Sequence, residues 1–183
     1  MLPAPFFISP GGAMRKLLIM LLVSLPLALH AEQKEKDPAV AQMETLAESG
    51  IQQALQAVQR SGGFYPFALI YNRNSEQLQL VGYRGDPQAK PKAEDFAVAL
   101  FLEVRQLVES NPDMTSAVVL KPFRATSDEG KVIPGVWAAV DHRSQRPWVM
   151  FQPLIEKAPG HYVLGELIYQ KSEEALFPPL PAK

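Results

Sequence analysis

The sequence predicts an α+β fold, with two helices packed on one face of a mainly antiparallel sheet of about six strands, in the order α-β-β-α-β-β-β-β. Three observations carry that expectation. Two segments place apolar residues at spacings of three and four, the mark of an amphipathic helix. The segments between and after them alternate or run apolar over short lengths bounded by turn residues. The links are of hairpin length, which makes neighbouring strands antiparallel.

The first helix starts at Asp37-Pro38, a capping residue followed by proline at the first helical position. Val40, Met43, Ala47, Ile51, Ala54, Leu55 and Val58 draw its apolar stripe, and Ser61-Gly62-Gly63 ends it. Gly50 is an unfavourable residue in the middle of that helix. Phe64 to Tyr71 reads as a buried strand, Asn72 to Ser75 as a turn, and Glu76 to Tyr83 as the returning strand with one wet face. Gly85, Asp86, Pro87 and Pro91 mark a loop. The second helix spans about Lys92 to Ser110, with Phe96, Leu100, Phe101, Val104, Leu107 and Val108 on its stripe and Asn111-Pro112 as its stop.

A meander follows. Its strands are Thr115 to Ala125, Lys131 to Asp141, Pro147 to Ile155 and His161 to Gln170, with turns at Thr126 to Gly130, Arg143 to Gln145 and Ala158 to Gly160. Pro66, Pro122, Pro134, Pro147 and Pro153 fall within these strands and each deletes a ladder donor, so edges and bulges are expected there. From Lys171 the chain reads as a proline-rich tail ending in an extended Phe177-Pro178-Pro179-Leu180-Pro181 segment.

Upstream of the domain, Met14 opens a secretory signal peptide: Arg15 and Lys16, an apolar Leu17 to Leu29, then Ala31 before Glu32. The apolar run is 13 residues, shorter than the roughly 20 that cross a bilayer. The organisation expected is therefore an upstream extension and cleavable signal over 1–31, a polar spacer over 32–36, one α+β domain over 37–170 and a tail over 171–183. The mature chain would be periplasmic or secreted in a bacterium, with no stable membrane insertion.

Removing Arg15 and Lys16 from 18 basic residues leaves 16 against 19 acidic ones, a net charge of −3. That balance gives no electrostatic reason to expect nucleic acid as a partner. The chain has no cysteine, which excludes disulfides, thiolate metal sites and a cysteine nucleophile.

Candidate chemistry is sparse. The domain holds two histidines, His142 and His161, and no Gly-x-Ser-x-Gly turn or His-Glu-x-x-His helix accompanies them. Glu94-Asp95 suits the positive end of a helix dipole better than a metal. Gly62-Gly63 lacks the further glycines of a phosphate loop. No catalytic residue, cofactor or metal is expected.

The open sheet face is the richer feature. Leu78, Leu80, Val149 and Phe151 are expected beneath the helices. Gln79, Val81 and Tyr83 with Trp148, Met150 and Gln152, and Tyr162 with Leu164, Glu166 and Ile168, are expected on the opposite face. Tyr83, Trp148, Gln152 and Tyr162, flanked by Arg143 and Arg146, form the candidate partner-binding set. A plainer expectation is that the tail covers this face, with Phe177 and Leu180 as plugs.

The run Gly63-Phe64-Tyr65-Pro66-Phe67-Ala68, followed by a hairpin and a helix, resembles a small group of uncharacterised bacterial proteins whose opening strand carries Phe-x-Pro-Phe-Ala. The likeness spans roughly Gly62 to Tyr169. It implies a compact α+β domain and no activity.

Export, the missing catalytic motifs and the aromatic-amide face point to a non-enzymatic protein that binds another protein of the cell envelope, an inhibitor or immunity-type protein being one form. A module for a small molecule or envelope polymer is the alternative, favoured by a pocket at Trp137 or Trp148 with Gln or Arg nearby. A cofactor-free hydrolase would rest on Asp141-His142.

Overall fold

The computed structural model describes residues 36–178. The extension, the signal peptide, most of the spacer, and the tail beyond Pro178 with Leu180 lie outside the described residues.

Helix α1 (Pro38–Ser61) begins where Asp37 Oδ1 accepts the Ala39 N–H at 2.9 Å. It ends where Gly62, at φ 76°, turns left-handed and donates to the Val58 carbonyl. Strands β1 (Phe67–Asn72) and β2 (Gln77–Gly82) form the first hairpin, and α2 (Ala93–Ser110) follows a short turn at Pro87–Ala89. Then come β3 (Met114–Thr126), β4 (Val132–His142), β5 (Trp148–Ala158), β6 (His161–Leu164) and β7 (Ile168–Lys171). All strand pairs are antiparallel, in the order β2-β1-β3-β4-β5-β6, with β7 also on β5.

The α+β class, the two helices and the order of elements agree with the sequence. The placement of the helices does not. Residues paired across antiparallel strands share a face, and the two cores occupy opposite parities. Leu69, Val118, Leu120, Val136, Ala138, Val140 and Met150 pack under α1. Ala68, Ile70, Val81, Ala117 and Val119 pack under α2. The helices therefore sandwich the sheet instead of sharing one face. Strand β3 explains this: Met114 to Leu120 is buried without a break, a run that only a doubly covered strand can carry.

The last expected strand, His161 to Gln170, is two pieces. Pro153 lies between the stretches of β5 paired with β7 and with β6, and cannot donate to a ladder. Its carbonyl accepts the Gly165 N–H instead, and the Gln152 side chain donates to the Gly165 carbonyl at 2.7 Å. The other prolines sit at margins. Pro66 and Pro147 precede their strands. Pro122 lies past Leu120, where β1 stops and leaves that edge of β3 unpaired, and Pro134 lies past Gly135, where β5 stops pairing with β4.

Gly50 has a packing reason. A Cβ there would sit 2.7 and 2.9 Å from the methyl carbons of Leu120, which is fully buried in β3. Glycine lets α1 lie close on the sheet. On an open helix face Gly→Ala gains up to about 1 kcal/mol. Here Gly50→Ala is expected to lower the thermal midpoint, because overpacking a tight core costs about 1–3 kcal/mol. A raised midpoint would show that Leu120 gives way freely.

Candidate functional site

The structure does not bring the six expected partner-binding residues together. Tyr83 belongs to an aromatic cluster beside α2: its ring meets Phe96 edge-on at 5.6 Å and Tyr65 at 5.9 Å. Its hydroxyl donates to the carbonyls of Asp86 and Ala89, so it pins the loop before α2. Tyr65, from the Phe-x-Pro-Phe-Ala run, stacks on Phe96 at 5.0 Å and donates to the Pro91 carbonyl. These tyrosines hold the helix entry to the sheet.

Arg143 is a clamp on backbone. Its Nε donates to the Met114 carbonyl at 2.7 Å, and its Nη2 donates to the carbonyls of Val108 and Asn111. The last carbonyls of α2 gain a cation where the helix dipole favours one. Arg146 is exposed in the turn before β5.

Asp141, one pairing row away from Val119 on the α2 side, is only 2% exposed. Its Oδ2 accepts the N–H groups of Leu176 (2.7 Å) and Phe177 (3.0 Å), and its Oδ1 accepts the His142 N–H. Both tail residues are buried in the α2 core, and the Arg143 guanidinium lies 5.0 Å over the Phe177 ring. The tail thus plugs the α2 face with Leu176 and Phe177; the plug does not lie over Trp148.

The same geometry separates the residues of the hydrolase reading. Neighbours on a strand point to opposite faces, and the Asp141 carboxylate bonds backbone while the His142 ring bonds the Ser144 hydroxyl at 2.9 Å. Burial holds the imidazole below its usual range, with Asp37 pulling the other way and Arg143 pushing with it. No acid–base dyad forms there. Among the described residues no group of three histidine, aspartate or glutamate side chains could hold a metal.

Trp148, Gln152 and Tyr162 do share a face, the one under α1. The expected grouping of Gln79 and Val81 with Trp148 and Met150 is corrected by the register: Val81 packs under α2, Met150 under α1. Tyr162 is tied to the helix, its carbonyl accepting from Gln59 Nε2 at 2.9 Å. Trp148 and Gln152 line a groove of about 470 Å3 between α1 and the β5–β7 edge, with Tyr169 tilted against Trp148 at 6.2 Å.

The uncovered part of the sheet lies on the other side. Among the strands, helix α2 packs mainly on β1, β2 and β3. Beyond it, one pairing row runs Lys121, Trp137, Phe151, Ile168, and the next begins Phe123, Gly135, Pro153. Phe151 lies across Gly135, where a Cβ would come within 2.4 Å of its ring, and meets Phe123 edge-on at 5.8 Å. Lys121 Nζ sits 4.5 Å over the Trp137 ring. Ile168 is 60% exposed, Phe123 43% and Ile155 42%; across a hollow of about 540 Å3 stands Leu102 of α2, 54% exposed. The sequence signal for this face was the alternation Lys121, Phe123 and Phe151, Pro153, Ile155, whose parity is readable only with the strand register.

Among the described residues no helix is long and apolar enough to cross a membrane. Searches of protein-family models, of curated proteins and of solved structures found no match to this chain.

Burial raises the Asp141 carboxyl above its usual range, and the N–H groups of Phe177, His142 and Leu176 oppose that rise. The folded chain therefore keeps this proton to higher pH than the unfolded chain does. Its stabilising contribution is full below the range of the unfolded carboxyl and is lost as pH rises through the raised value. Asp141→Asn stays neutral, so the stability difference between variant and parent is expected to move in the variant's favour from about pH 3 to pH 7. Urea unfolding across that interval measures it, and a constant difference would refute the raised carboxyl.

Proposed function

We propose that the chain is an exported, non-catalytic binding protein that docks a second protein of the cell envelope through the half of the α2-side face that neither α2 nor the tail covers. The supporting observation is the contiguous apolar row of Trp137, Phe151 and Ile168 with Phe123 and Ile155 beside it, all on one parity of β3, β4, β5 and β7. A sheet face of this composition ordinarily lies against another layer, and an exposed patch of aromatic and aliphatic side chains rimmed by charge is the usual form of a protein interface. Lys121 on one side and Glu173 and Glu174 on the other supply that rim. An inhibitor or immunity-type role fits a rigid face of this kind, since little of it needs to reorder on docking.

A photoreactive residue placed at Ile168, at Leu102, or at Gln56 on the far side of α1 tests the proposal in the native host. The same single protein is expected to be captured from Ile168 and Leu102 and not from Gln56, with Phe123→Lys abolishing capture. Equal labelling from all three positions, or none from any, would overturn it.

A further inference from the structure

We infer that the groove between α1 and the β5–β7 edge, on the face opposite the proposed docking surface, is a site for an organic cation: a primary ammonium or guanidinium group carried on an apolar body. Its floor is apolar, with Met150 and Ile51. One wall is the pair of rings Trp148 and Tyr169, 6.2 Å apart and inclined by 34°, with Tyr169 largely exposed. The faces of such rings attract cations. The other wall is the polar side of α1, where Glu44 and Glu48, one helical turn apart, both border the groove.

A buried amide completes the site. Gln152 is 5% exposed, its Nε2 is committed to the Gly165 carbonyl, and its Oε1 accepts no hydrogen bond among the described residues. That oxygen is not sealed in protein, because the only fully buried polar side-chain atom without a partner among the described residues is Ser116 Oγ. Gln152 lines the groove, so this unpaired oxygen is an acceptor at its wall. Apart from the Lys36 that Glu44 holds at the rim, the carboxylate of Glu48 and the amide oxygen have no lysine or arginine in the cavity lining to supply N–H donors. Glu48 forms no ion pair among the described residues, while Glu44 holds Lys36 of the chain's own leader, a cation already drawn to this rim. The demand for N–H donors favours a primary ammonium or guanidinium over a quaternary ammonium.

The two tryptophans give the test an internal control, since Trp148 lines this groove and Trp137 lies on the opposite face. In a titration of the full chain with 2-phenylethylammonium, the indole N–H resonance of Trp148 is expected to shift saturably while that of Trp137 stays. The neutral probe 2-phenylethanol is expected to bind at least about tenfold more weakly, and Glu44→Gln with Glu48→Gln to reduce that preference to below about threefold. N-acetylarginine amide against free benzylguanidine separates a peptide side chain from a small molecule as the source of the cation. Equal binding of amine and alcohol, an undiminished preference in the glutamine variant, or no shift of Trp148 with either cation would overturn the site. A shift of Trp137 instead of Trp148 would place the binding on the other face and would overturn the site as well.

Discussion

The architecture depends on one strand buried from both sides. Every residue of β3 from Met114 to Leu120 is buried, with Val118 and Leu120 beneath α1 and Ala117 and Val119 beneath α2. Each of these residues, fully buried, contributes on the order of 1–3 kcal/mol of transfer free energy relative to exposure. The same strand carries the closest helix approach, since Leu120 fills the space left by Gly50. Where β3 runs past this double cover, its environment changes at once. Lys121, Pro122, Phe123 and Arg124 are partly or wholly exposed, β1 no longer pairs with the strand, and from Arg124 onward β3 and β4 have only each other.

Two oppositely charged side chains, one residue from each other's neighbour at the end of β4, organise the loose ends around that core. Asp141 gathers three N–H groups and Arg143 three carbonyls, and none of these bonds joins the two side chains to each other. An ionised group taken out of water is costly unless its bonds are replaced; backbone dipoles replace only part of them at Asp141, whose carboxyl burial raises above its usual range. The consequence is positional: the end of α2, the start of β3 and the buried Leu176–Phe177 segment all meet at one corner. That segment closes part of the α2 face, and the part left open is what the second protein is proposed to cover.

How much of this was legible can be traced residue by residue. Helical spacing, the Asp37-Pro38 start and the turn clusters are local signals, and they gave the element order because each acts within a few residues. The side on which a helix lies is not local. It needs the parity of strands joined through α2, and a helical connection transmits no parity from β2 to β3. The uninterrupted run Ala117 to Leu120 did signal two-sided burial, whereas hairpin-length links signalled only adjacency. The same lack of register put Trp148 with Val81 and hid the row of Trp137 and Phe151. Arg143 read as a surface binding residue because its partners, the carbonyls of Val108, Asn111 and Met114, leave no trace in side-chain composition. Glu44 and Glu48 lie off the apolar stripe of α1 and carry no local mark of a site, since the groove they border is completed by residues about a hundred positions away.

The interruption at Gly165 has a bearing on how copies of the chain can associate. The sheet has two outer edges among the described residues, and they are unlike. On one, β2 offers six consecutive residues with no proline and no bulge in its pairing with β1. On the other, β6 and β7 are four residues each, separated where the chain leaves the ladder. Strand addition is favoured along the first and frustrated along the second. Of these two edges, β2 is the one that presents an unbroken ladder to another strand. Propagation into a fibre would require the broken edge, and the polarity of the sheet is in this sense a stop signal written into its outline.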